Sequence, residues 1–239
     1  MTTTTSAPAT LGPMTGFDLV RMITAVVVHT TCEGEAVLEE LTHVSCEVDR
    51  GHMYMAATDR YTLGIIRNPL PDGHNPGRLA ITLPAAALRR LAHGIERRAE
   101  VTVQVDPTGL TVHDHDSGLR HHLPASPLEY CVRWRRLLGR HMAKIGKSTP
   151  GGAPVTLNSA YLARFAHAAA FRPRAPKVRW PLEFHTVPGE RAPLLVTCGT
   201  HFLGAIMPML PAAGADSPSA HLADWQADCP PPARARKAA

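Results

Sequence analysis

Ala57-Thr58-Asp59-Arg60-Tyr61-Thr62-Leu63 spans the end of one run of strand character, Met53–Ala57, and the start of the next, Thr62–Ile66. Upstream, Val44–Val48 forms a third run, closed by Asp49-Arg50-Gly51 as a hairpin turn. Upstream again, Phe17, Val20, Thr24 and Val27 recur at helical spacing. A helix followed by short strands is therefore one unit of structure, and its pattern recurs. In a second unit, strand Leu79–Leu83 leads into a helix that Pro84 opens, with Leu88, Leu91 and Ile95 on its buried face. Strands Val101–Val105 and Leu110–His113 follow, joined by Asp106-Pro107-Thr108-Gly109. In a third unit, strand Val155–Leu157 meets Asn158 as an N-cap, and a helix follows with Leu162, Phe165 and Ala169 inward. Strands Leu182–Val187, Leu194–Cys198 and Phe202–Met207 complete it.

Turns of hairpin length after each helix favour antiparallel neighbours over crossovers, so the fold class is α+β, one helix packed on curved antiparallel sheets in each repeat. Residues 1–13 and 211–239, rich in Thr, Ala and Pro, read as a disordered N-terminus and a disordered Pro/Ala-rich tail. Between them, 14–135 reads as a domain of two helix-strand units and 155–210 as a half-domain. Residues 136–154, in a stretch that begins VRWRRLLGR at Val132, read as a basic linker.

Composition narrows the function. The 239 residues are 44% apolar, enough for a core, but only 5% aromatic, which disfavours an aromatic cofactor pocket, and no cofactor is expected. No apolar run approaches the roughly 20 residues that span a bilayer, and the N-terminus lacks the pattern of a signal peptide, so a cytoplasmic protein without membrane contact is expected. Five cysteines without a CxxC pair read as reduced thiols. The net charge of +5 admits a polyanionic partner.

These units carry a resemblance. The stretch from Ala57 to Leu63 resembles the ATDG-x-RL signature of the bacterial DNA polymerase III beta subunit, the beta sliding clamp, with Arg60-Tyr61-Thr62 standing where that family has Gly, an aromatic or His, then Arg. Ile206-Met207-Pro208-Met209-Leu210 resembles the MPMRL-type end of the clamp's last strand, without its Arg. Between them, Ile81-Thr82-Leu83-Pro84, Pro127-Leu128-Glu129-Tyr130, and Val155-Thr156-Leu157-Asn158 with Tyr161-Leu162 are similar to further clamp segments in the family's order. The resemblance implies DNA-clamp-like repeats, and a processivity or tethering factor of DNA replication or repair with no catalytic site of its own. An ordinary beta clamp has three domains of two units each. Four chains of three units each would tile a closed ring of twelve arithmetically, but an odd count splits a domain and weighs against simple ring closure; a homo-oligomer is among the partners the resemblance implies.

Two surfaces follow from the resemblance. Clamp helices face double-stranded DNA with basic side chains, and here Arg21, Arg89, Arg90 and Arg164 fall away from the apolar stripes, which suits phosphate contacts indifferent to sequence. The same pattern is that of any solvated helix face. The clamp's partner-peptide pocket maps onto Leu41, Thr58, Arg60, Tyr61, Thr62, Leu63, Ile206, Met207, Pro208 and Met209, where Met and Leu suit short hydrophobic peptides of a DNA polymerase or repair protein. The competing role for Met207-Pro208-Met209 is to end a core strand. A second function class is a clamp-derived protein-interaction module that no longer encircles DNA. No metal site is expected: His113, Asp114, His115, Asp116, His121 and His122 fall on alternating strand faces and a hairpin turn. Gly146-Lys147-Ser148 lacks the first Gly and the preceding strand of a phosphate loop. No nucleophile or acid-base motif marks a catalytic residue.

Overall fold

The structure, a computed structural model, describes residues 8–31, 38–71, 78–128, 132–142, 155–170, 181–186 and 192–209. The tail 211–239, Leu210, the Gly146-Lys147-Ser148 segment and Cys32, Cys131 and Cys229 lie outside the described residues.

Each of the first two units is a strand, a helix and a three-stranded meander. Unit 1 comprises β1 (Ala9–Thr15), α1 (Gly16–Val27), β2 (His43–Asp49), β3 (His52–Thr58) and β4 (Thr62–Pro69). Unit 2 comprises β5 (Leu79–Pro84), α2 (Ala85–Gly94), β6 (Glu100–Asp106), β7 (Gly109–Asp114) and β8 (Arg120–Pro124). The units exchange their first strands: β1 pairs with β6, and β5 pairs with β2, all antiparallel. Between the two sheets so built, α1 packs on α2. Leu19, Met22, Ile23 and Val26 of α1 and Leu88 and Leu91 of α2 share one core with the inner faces of both sheets. Sequence alternation explains which side chains go in: Val44, Cys46 and Val48 of β2, and Val101, Val103 and Val105 of β6, are all at most 1% exposed.

The antiparallel α+β arrangement matches the sequence reading, and four local expectations are corrected. Residues 9–13 are not disordered. They open β1, with Ala9 and Leu11 buried, because Gly12 and Pro13, which read as breakers, occupy a register shift between Leu11 and Met14 where the ladder tolerates them. Residues 136–142 are not linker but part of α3 (Trp134–Met142), whose apolar side docks on the sheet. Val155–Leu157 is not a strand: Thr156 takes one backbone hydrogen bond, from Met209 N at 2.8 Å, and no strand lies beside it among the described residues. Leu162 of α4 (Ser159–Arg164) does not face inward but is 36% exposed, while Phe165 and Ala168 are buried. Ala169 belongs to α5 (Ala166–Ala170), but its side chain lies outside the described set. The edge strand β8 was invisible to pattern reading because Arg120, His121 and His122 give it no apolar alternation.

Unit 3, residues 155–209, adds α4, α5, β9 (Glu183–His185), β10 (Leu194–Cys198) and β11 (Phe202–Ile206). Its meander joins unit 1 edge to edge, since β11 pairs with β4 and makes a seven-stranded sheet in the order β5-β2-β3-β4-β11-β10-β9. At the seam Gly204 lies opposite Gly64. A Cβ at Gly64 would stand 2.2 Å from His29 Cδ2, and one at Gly204 would stand 2.5 Å from Phe165 Cε1. The missing side chains are thus the space that these rings occupy. On the outer face, α3 straps the same seam: Val132 and Leu138 pack with Leu63 and Ile65 of unit 1 and with Leu195 and Ala205 of unit 3.

His29 is fully buried, 4.9 Å from the Phe165 ring, and neither ring nitrogen has a hydrogen-bond partner among the described residues. Burial foremost, then the nearby Arg164 and His167 charges, push its pKa from 6.5 down to about 3, against an opposing pull from Asp59. The folded state therefore keeps His29 neutral while the unfolded chain takes up a proton below pH 6.5. Stability from this group is complete above that pH and falls as pH drops toward about 3, with a slope of up to about 1.4 kcal/mol per pH unit. Urea unfolding followed from neutral to acid pH should show that loss, and His29→Leu should flatten it.

Candidate functional site

The turn between β3 and β4 is organised by one carboxylate. Asp59 Oδ1 accepts from Tyr61 N at 3.0 Å, from Thr62 N at 2.7 Å and from the Thr62 hydroxyl at 3.0 Å. Thr58 seconds it, donating to Thr62 O at 2.8 Å and accepting from Arg60 N at 3.1 Å. The other Asp59 oxygen is ion-paired with Arg164 of α4, whose guanidinium also donates to the Thr62 hydroxyl at 3.0 Å. Burial opposes the charge on Asp59, but the hydrogen bonds from Thr62 and the Arg164 guanidinium outweigh it and hold its pKa below the ordinary value. Arg164 is thereby a tie between unit 3 and the turn. Its sequence signal was ambiguous, since a helical Arg away from the apolar stripe reads equally as a surface charge.

The pairing of β4 with β11 brings the two distant hallmarks together. Ile206 lies opposite Thr62, and Met207 N donates to Tyr61 O at 2.8 Å. The expected apolar floor does not converge on one face, however. Leu63 points outward beneath α3, 3% exposed, while Ile206 points inward against Phe165 and Phe202 and is fully buried. Neighbouring register positions alternate across a sheet, so these two cannot line the same pocket. Leu41 is also buried, in a 3-10 turn (Glu39–Thr42) whose Leu41 carbonyl accepts from Thr31 N at 2.9 Å, and it joins none of the three apolar clusters.

What remains at the surface is a set of apolar side chains around the strand end. Tyr61 is 51% exposed, Met207 36% and Met209 48%, with Pro208 half-buried between the methionines. Tyr61 stacks on Tyr161 of α4 with ring centroids 5.4 Å apart and planes 17° from parallel. Tyr161, which the sequence reading placed in a family segment but not in the pocket, also carries the Arg164 guanidinium 5.0 Å above its ring. Aromatic rings, a thioether pair and an ordered strand end suit an extended hydrophobic peptide. A groove of about 780 Å³ elsewhere, lined by Leu11, Met14, Asn68 and Leu70 among others, includes none of the hallmark residues.

The four basic positions separate. Arg89 caps the end of α1, donating to Val27 O at 3.0 Å and to the Thr30 hydroxyl at 2.7 Å. Arg164 is bound to Asp59. Arg21 lies over the Phe17 ring at 3.8 Å, half-buried, and Arg90 is exposed. Two of the four are thus engaged internally. The His113 and His115 rings meet at 4.5 Å while Asp114 accepts from Asp116 N at 2.9 Å and Ser117 N at 3.1 Å, so that carboxylate closes its own hairpin. Among the described residues no helix is long and apolar enough to cross a membrane.

Strand-exchanged helix-meander units with α1 packed on α2 between two antiparallel sheets define a DNA-clamp fold. More particularly, the fold is that of the bacterial DNA polymerase III beta subunit, the beta sliding clamp. The chain is similar to the sliding clamp of Pseudomonas aeruginosa, with TM-score 0.59 and 12% identity over 87% of this chain and 67% of that one. The beta subunit of Thermotoga maritima gives TM-score 0.60 and 11% identity over 90% and 66%. A putative beta subunit of Eubacterium rectale gives 0.60 and 10% over 87% and 67%. No family model matches the sequence, and no curated protein does.

Arg60 occupies the left-handed region at φ 78°, where the clamp signature has Gly. A non-Gly residue there carries strain of roughly 1 kcal/mol or more, and its side chain is exposed. Arg60→Gly should therefore raise stability by about 0.5–1 kcal/mol after the entropy cost of glycine. The change is read as a higher thermal midpoint.

Proposed function

We propose that the protein is a sliding-clamp-like accessory factor of DNA replication or repair, which docks a short hydrophobic peptide of a polymerase or repair protein and tethers it to duplex DNA. The exposed patch of Tyr61, Met207 and Met209, walled by Tyr161, carries this reading. It combines apolar area with a strand end, and both hallmark segments contribute to it. The peptide contact is narrower than the family pattern implies: Thr58, Thr62, Leu63 and Ile206 shape the site from within, and Arg60 and Pro208 flank it. The protein supplies no catalytic group in this role. It acts by raising the local concentration of its partner.

Duplex DNA is the second partner. Arg21 and Arg90 offer diffuse phosphate contacts, so binding is weak, falls with salt and ignores sequence. The engagement of Arg89 and Arg164 within the fold favours a second reading, a clamp-derived interaction module that keeps the peptide site and does not encircle DNA. Titration of unrelated duplexes at low and moderate salt separates the two, because the module alone binds none of them.

The peptide site is tested by calorimetry with a clamp-binding type of hydrophobic peptide. Replacing Met207 and Met209 by Ala should weaken binding by roughly 1–3 kcal/mol, the scale of lost hot-spot contacts. Both side chains are substantially exposed, so thermal stability should barely move. Absence of binding to the unmodified chain would sink the reading.

A further inference from the structure

Units 1 and 2 complete one another by reciprocal exchange: the strand before each helix pairs with the first meander strand of the other unit. Unit 3 possesses both halves of such an exchange and, among the described residues, the counterpart of neither. Its segment Val155–Leu157 precedes α4 as β5 precedes α2. The local likeness extends to the backbone. Thr82, three residues before α2, accepts at its carbonyl from Ser126 N at 2.7 Å; Thr156, three residues before α4, accepts from Met209 N at 2.8 Å. Thr82 then lies opposite Ser45 of β2, whereas Thr156 has no strand opposite it among the described residues. Likewise, among the described residues, β9 pairs with β10 alone and ends the seven-stranded sheet.

Burial at matching positions shows the same deficit. Leu19, Leu88 and Leu162 are each three residues beyond the first residue of their helices; the first two are fully buried and Leu162 is 36% exposed. Four residues before the helix, Ile81 is 7% exposed and Val155 is 44%. Phe184 of β9 lies opposite the fully buried Val196, hence on the helix-bearing face, and is 45% exposed, where the valines of β6 are covered by β1 and the helices. The side chains that the exchange buries in the first two units are thus apolar and uncovered in the third.

We propose that a second copy of this chain completes unit 3. About a two-fold axis, Val155–Leu157 of each copy pairs with β9 of the other, and the two α4 helices bury Leu162 and Phe184 between them. A second copy fits because the exchange is reciprocal and unit 3 carries donor and acceptor on one surface, the requirement of an isologous interface. Strand addition satisfies the open edge that would otherwise be exposed. The result is a three-domain dimer whose central domain is shared. This inference rests on the fold and is independent of the peptide and DNA readings.

The test is the mass of the full-length protein by sedimentation equilibrium across a wide concentration range, with a reversible dimer expected. Leu162→Asp and Phe184→Glu should each raise the dimer dissociation constant by about 30-fold or more, the scale of losing a buried interface anchor. Leu119→Asp, at an exposed position in the β7–β8 hairpin, should leave it unchanged. Hydrogen exchange on the unmodified chain provides a readout that needs no variant: amides of Glu183–His185 and Val155–Leu157 should gain protection as concentration rises. A monomer at every concentration, a dimer that withstands both charge substitutions, or exchange at these segments that ignores concentration would each overturn the proposal.

Discussion

The molecule depends on the closeness of two backbones at Gly64 and Gly204. Strand pairing alone would join unit 3 to unit 1 by a handful of hydrogen bonds, a connection that could hinge. Here the space above the paired glycines admits His29 and Phe165 directly against the strands, with Phe202 edge-on to Phe165 at 6.1 Å. Close packing leaves no room for an intermediate arrangement, since a methyl group on either glycine would overlap a ring. The same packing explains why His29 stays neutral. A ring enclosed by apolar neighbours cannot recover the hydration of its charged form.

The seam must also be closed from outside, and this accounts for the basic helix α3. A sheet with helices on one face ordinarily shows water its other face, yet β2, β3 and β4 are buried on both. Outward residues of β2 include Ser45 and Glu47, which could not be covered by apolar groups alone. Val132 N donates to the Ser45 hydroxyl at 2.8 Å, and Arg135 forms ion pairs with Glu47 and, at 3.5 Å, with Asp49 while lying 4.6 Å above the Tyr54 ring. Such a partly buried ion pair adds little net stability, but it makes burial of Glu47 tolerable and fixes where the helix sits. Positive charge at the border of the stretch that reads as a linker in sequence is therefore part of how unit 3 is held to unit 1.

Much of this was legible before the structure because local and tertiary preferences agree. The helices α1 and α2, the meander of unit 1 and strands β6 and β7 of unit 2 follow from 3.6- and 2-residue periods punctuated by Gly, Pro and Asp turns, and the antiparallel class follows from turn length. Periodicity failed where tertiary contact decides. The opening strand is broken in sequence by Gly12 and Pro13 and is held only by β6; α3 is helical against the outer face of a sheet the sequence cannot locate. Leu162 holds the position in its helix that Leu88 holds in α2 and is nonetheless 36% exposed. The site was half legible for a related reason. Matching hallmarks correctly brought β4 beside β11, but a motif does not record the face to which each residue points, so Leu63 and Ile206 were assigned to one pocket when they lie on opposite sides.

That division separates the two duties of the hallmark residues. In the stretch from Thr58 to Leu63, the carboxylate of Asp59 and the hydroxyls of Thr58 and Thr62 are turned into the fold, satisfying turn amides and receiving Arg164. Their chemistry would be required by any chain that builds this corner, whatever it binds. Tyr61 between them makes no such contribution through its exposed ring except to Tyr161, and Met207 and Met209 extend past the last rung of β11 into solvent. A resemblance carried by Asp59 and Thr58 therefore speaks to fold, whereas Tyr61, Met207 and Met209 present their side chains at the surface. The departures from the clamp pattern fall on both sides of that division: Arg60 is exposed, while Thr62, standing where that pattern has Arg, is buried and builds the corner. The corner is built here without the signature's Arg: the guanidinium that reaches Asp59 and the Thr62 hydroxyl comes from Arg164 of α4, so one shape is held with a different residue at that position.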